Sequence, residues 1–137
     1  MSGQLRRVKW VTRDMVQNSR STLFVFGDNM ERCGLGGQAG AMRGEPNAIG
    51  VPTKRAPGSA PDDFFRDTDL QDLAVRAAIL GAFAVVNESL DAGRDVVIPT
   101  DGLGSGLSEL PTRAPLIYAF IEDLIAQAAK RASWQTR

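Results

Sequence analysis

The chain has no histidine among its 137 residues. That absence excludes a histidine general base, a Ser-His-Asp triad and any metal centre built on imidazole ligands. Cysteine is almost missing as well. One residue, Cys33, can neither close an internal disulfide nor assemble a thiolate zinc site. With no histidine to activate it, Cys33 is not expected to act as a nucleophile. Neither sign of charge is in excess: 16 Lys and Arg balance 16 Asp and Glu. Non-specific nucleic-acid binding needs a basic surface, so a nucleic-acid partner is not expected from the charge balance. No apolar run stands out as long enough to cross a bilayer, and the start "MSGQLRRVKW" lacks the apolar core of a signal peptide. The expectation is a cytoplasmic protein without a membrane partner, held together by packing and with no metal or cofactor. Its oligomeric state stays open.

What is present fits a folded protein. The chain is 43% hydrophobic and 23% charged, and its length suits a single domain over residues 1–137 with a real core. "LRRVKWVT" (5–12) alternates Val8 and Trp10 with polar neighbours, as a strand does. "TLFVFG" (22–27), "AIGVPT" (48–53) and "DVVIPT" (95–100) are apolar runs of the kind found in strands buried on both faces. Thr68, with Gln71 three residues on, predicts a capped helix whose apolar face runs through Leu70, Leu73, Ala74, Ala77, Leu80, Gly81 and Ala84, with Gly93 as its stop. A second helix is predicted from near Thr112, with Pro115 in its first turn and a stripe through Leu116, Ile117, Phe120, Ile121, Leu124, Ile125 and Ala128. Long helices between buried strands point to an α/β fold of three layers, α/β/α, around a mostly parallel or mixed sheet.

Three predicted strands end, at Gly27, Thr53 and Thr100, in small and polar residues. In parallel sheets ligands collect outside the carboxyl ends of strands. "CGLGGQAGAMRG" and "DGLGSGLSEL" each follow such an end. Backbone without Cβ atoms lets successive N–H groups converge on an anion, and two such loops suit a diphosphate better than one. Neither is a Walker loop, since no Gly-Lys-Ser/Thr follows. Asp28 and Asn29 fit either a turn cap or a ligand contact. Phe64 and Phe65 fit either core plugs or an aromatic platform.

The order of these pieces resembles the macrodomain superfamily, and in particular small macro-like proteins of bacteria and their phages. The resemblance rests on "VFGDN", the glycine-rich segment after it, "IGVPTK" and "VVIPTDGLGSGLSEL", and covers Leu23 to Glu109. It implies an α/β/α fold that binds ADP-ribose at the carboxyl edge of the sheet. It also implies that Asn29 touches the distal ribose and that the two glycine loops wrap the diphosphate. The chain departs from the family in lacking an Asn-Ala-Ala-Asn run, where "GDNMERCG" stands instead, and in being shorter.

The candidate ligand contacts are therefore Asn29, Thr53 and Lys54 at strand ends, with Gly34, Gly36, Gly37 and Gln38 in the first loop. Gly102, Leu103, Gly104, Ser105 and Gly106 follow in the second, and Phe65 is the candidate stacking ring. The resemblance implies a small-molecule nucleotide or an ADP-ribosylated substrate as partner. Three readings stay open: a binding module, an ADP-ribosyl hydrolase with Asp28 or Asp101 orienting a water, and a non-catalytic protein that sequesters a nucleotide signal.

Overall fold

A computed structural model describes residues 3–135, the last three in their backbone only. Four strands form one parallel sheet: β1 (Leu5–Val8), β2 (Leu23–Asn29), β3 (Ala48–Lys54) and β4 (Val96–Pro99), in the order β1-β4-β2-β3. The fold is thus α/β with a parallel sheet. The helices are α1 (Arg13–Gln17), α2 (Ala39–Met42), α3 (Leu73–Asp91), α4 (Leu110–Arg113) and α5 (Pro115–Gln135).

Side chains alternate across the strands and so define two cores. Leu23, Val25, Val96 and Ile98 face a large cluster shared with α3 and α5. Phe24, Phe26 and Val97 face a smaller one with Val16 of α1 and Met42 of α2. Helices therefore cover both faces, as buried parallel strands require.

The helix starts differ from the expectation. Thr68 lies inside a 3₁₀ turn, Asp67–Gln71, and Asp72 is the N-cap of α3, accepting from Ala74 N–H at 2.9 Å. Gly93 does close α3: its N–H reaches Leu90 O at 3.1 Å and the Arg94 N–H reaches Ser89 O at 2.9 Å. The buried face of α3 is Val75, Ile79, Ala82, Phe83, Val86 and Leu90; Leu73 is 81% exposed and Leu80 is 44% exposed. Contrary to expectation, α3 is by length and composition apolar enough to cross a bilayer. In the fold its buried face belongs to the core. The predicted second helix divides into α4 and α5, with Pro115 opening α5. Its stripe is buried at Ile117, Ile121, Ile125 and Ala128, whereas Leu116 is exposed. The Asp67 carboxylate accepts the Leu116 N–H at 2.9 Å, so an acidic group meets the positive end of α5.

Candidate functional site

Because all four strands run the same way, their carboxyl ends share one edge. The segments leaving that edge enclose a cleft of about 290 Å³. Lys9 and Trp10 enter it after β1, the first glycine segment after β2, Lys54 at the end of β3 with Pro57 after it, and the second glycine segment after β4. The two glycine segments adjoin: a Cβ on Gly36 would lie 3.0 Å from Leu107 Cδ1. The backbone N–H groups of residues 34–38 and 103–108 have no acceptor among the described residues. Clustered unpaired donors on glycine-rich backbone are suited to receive an anion.

Gly104 cannot be replaced without moving the core. Its φ is +84°, and a Cβ there would sit 2.8 Å from Leu110 Cγ and 3.1 Å from Thr53 Cβ. Leu103 is also core, 1% exposed, with its side chain in the large cluster. Beneath Gly102 lie Glu122 and Tyr118, whose oxygens would be 2.7 and 3.4 Å from an added Cβ. Burial, then the hydrogen bond to Glu122, holds the Tyr118 phenol above its usual range. Ser105 and Gly106 are exposed at the cleft.

Asp28 has a structural assignment. Its side chain is 3% exposed and pairs with Arg43, and with Arg32 at 3.1 Å. It also accepts the Asn29 N–H at 2.8 Å. Gly50 makes room for it: a Cβ there would lie 2.7 Å from Asp28 Cβ. Arg43 continues the network, donating to Gly34 O at 2.7 Å and Cys33 O at 3.2 Å. A trans peptide points its C=O and N–H in opposite directions. Holding those two carbonyls therefore fixes where the N–H groups of Gly34 and Leu35 point.

Asn29 donates from Nδ2 to Cys33 O at 2.7 Å, which sets its amide orientation. Its Oδ1 is buried with no partner among the described residues, and the residue lines the cleft. An unpaired buried acceptor is costly and calls for a donor such as a ligand hydroxyl. Thr53 lies below the cleft rather than in its wall. It donates to Asp28 O at 3.0 Å, so the 2.6 Å contact with Ser108 is a donation from Ser108. That use of the Ser108 proton ties the second loop to β3.

Gln38 lines the first loop, but both ends of its amide are bound to Val11, at 2.7 and 3.0 Å. Lys54 lines the cleft while its ammonium donates to Gly58 O at 2.6 Å and lies 4.5 Å from the Phe64 ring centre. Phe65 does not reach the cleft. It is fully buried in the large core, so it is a core plug and not a stacking ring. Cys33 is exposed, and the site uses its carbonyl.

Asp101 lines the cleft, is exposed, and has no hydrogen bond or ion pair among the described residues. No group of three or more carboxylates and thiols among the described residues could hold a metal. Sequence reasoning missed Arg43, Ser108 and Trp10. Nothing in sequence pairs Arg43 with Asp28 across fifteen residues. Trp10 was hidden by its alternation with Val8.

Fold and site together define an α/β protein with a glycine-walled cleft at the carboxyl edge of a parallel sheet. The chain belongs to the DUF7831 family, a family of unknown function, which it matches over residues 6–124. No curated protein and no solved structure matches it.

Proposed function

We propose that the cleft binds ADP-ribose or a related nucleoside diphosphate, and that the domain is macrodomain-like. One observation carries the reading. Two glycine-rich segments whose backbone N–H groups are unpaired among the described residues line a single cleft, and Asn29, with its unpartnered Oδ1, lines it too. Backbone donors suit a diphosphate, and a buried amide oxygen suits a sugar hydroxyl. The order of motifs that resembles macrodomains supports the same ligand. A thermal-shift series tests it. ADP-ribose should raise the melting temperature more than adenosine, by a stabilisation of about 2.7 kcal/mol at a hundredfold excess over Kd. No shift with ADP-ribose, ADP or NAD at millimolar concentration sinks the reading.

A second reading, hydrolysis of an ADP-ribosyl bond, is favoured by the unpaired Asp101 carboxylate in the same cleft. Asp28, bound by two guanidinium groups, serves to hold the first loop. Release of ADP-ribose from a modified protein or nucleotide is the measurement that separates this reading from simple binding or sequestration.

A further inference from the structure

Trp10 is 61% exposed. Large aromatic side chains are on average among the most buried, so an exposed indole lining the cleft calls for a partner. Its ring has no aromatic or cation contact among the described residues. Its backbone is nevertheless held in place. Val11, the next residue, is fully buried, and both of its backbone polar groups are bound by the Gln38 amide. Thr12 then caps α1 by accepting the Met15 N–H at 3.3 Å. Gln38 sits in the first glycine segment, so the same two bonds tie Trp10 to the anion-binding wall.

The sheet order gives the direction of a ligand. Reading across the edge, β1 carries Trp10, β4 the second glycine segment, β2 the first, and β3 Lys54. Neighbouring strands are about 4.8 Å apart, so the strand ends bearing Trp10 and the first glycine segment stand on the order of 10 Å apart. That is the reach of one nucleoside. We infer that Trp10 is the stacking face for a nucleobase: the base lies over the end of β1 and the phosphates cross the loops after β4 and β2. The inference rests on the nucleoside-diphosphate reading and adds an aromatic base to what the cleft recognises.

Calorimetric titrations of the unsubstituted protein, Trp10→Ala and Trp10→Phe with ADP-ribose and with inorganic pyrophosphate test it. The expected result is a loss of about 10- to 100-fold in ADP-ribose affinity for Trp10→Ala, the effect of removing one base–aromatic stack. Pyrophosphate affinity should be unchanged, and Trp10→Phe should restore most of the loss. In a Trp134→Phe background, ADP-ribose should quench the remaining indole emission and pyrophosphate should not. Equal ADP-ribose affinity for Trp10→Ala and the unsubstituted protein overturns the inference alone, as does an equal loss for both ligands. If the unsubstituted protein binds pyrophosphate and ADP-ribose equally well, base recognition falls and the anion cleft stands. If it binds neither, both readings fall.

Discussion

Asp28 and Arg43 form an ion pair beneath the first glycine segment, and the same guanidinium holds the carbonyls of Cys33 and Gly34. The pair couples the end of β2 to the residue that follows α2, so the geometry of the first loop depends on a contact made fifteen residues away. Asp28 is 3% exposed at its side chain, and Arg32, at 44%, is the more solvated of its two partners.

Arg43→Ala should therefore cost about 3 kcal/mol of stability, the low end of the range for breaking a buried pair, because Arg32 remains. Urea denaturation measures it. Arg32→Ala should cost less, since that side chain is more exposed. A loss for Arg43→Ala no larger than for Arg32→Ala contradicts the bracing role.

Two glycines in one loop should separate folding from binding. Gly104→Val pushes a branched side chain into Leu110 from a positive φ, and should cost at least about 3 kcal/mol. At Gly106 a Cβ meets nothing within 4 Å. Gly106→Val should leave stability within about 0.5 kcal/mol and weaken ADP-ribose binding by narrowing the cleft. Parallel stability and affinity measurements on both variants check this.

The strands were legible in sequence because β1 alternates and the other three are continuous apolar runs, two of them stopped by Pro-Thr. The face of α3 was not. Leu73, Ala77, Leu80 and Ala84 keep helical spacing as well as Val75, Ile79, Phe83 and Val86 do, so periodicity alone cannot choose between them. The start of α3 was misplaced because Thr68 and Gln71 carry capping chemistry, while Asp72 has the bond. At the site, the placing of the glycine segments and Asn29 together at one sheet edge was readable from their order after the strands. The roles of Asp28, Gln38 and Thr53 were not, because their partners Arg43, Val11 and Ser108 lie 15, 27 and 55 residues away. Phe65 offered no signal to distinguish core from platform.

Acid should weaken the small core through Glu45. Hydrogen bonds from Gln17, Arg20 and Arg13 hold its carboxyl below the ordinary glutamate value. A depressed folded-state pKa gives stability that is present above the unfolded-chain value and is lost as pH falls through the folded one. Unfolding midpoints should thus decline as pH drops below about 4.5, and Glu45→Gln should flatten that decline while lowering stability at neutral pH. An unchanged acid limb in the variant removes Glu45 from the account.

The carboxylates give the last test, because the two in the cleft differ in what surrounds them. Asp28 has two guanidinium partners and accepts a backbone N–H, so its oxygens are already engaged in holding the first loop. Asp101 is exposed and unpaired among the described residues. If the cleft hydrolyses an ADP-ribosyl bond, Asp101→Asn should lower the rate by about 10²–10⁴-fold, as loss of a general base does. Its melting temperature and ADP-ribose affinity should be nearly unchanged. Asp28→Asn should instead lower the melting temperature first, by leaving Arg43 without its charge partner. Ser108→Ala should loosen the second loop without abolishing turnover, because its hydroxyl proton is directed at Thr53. Single-turnover release of ADP-ribose, read beside thermal unfolding of each variant, distinguishes the roles. A rate that falls only with Asp28→Asn, at unchanged stability, would move the chemistry to Asp28.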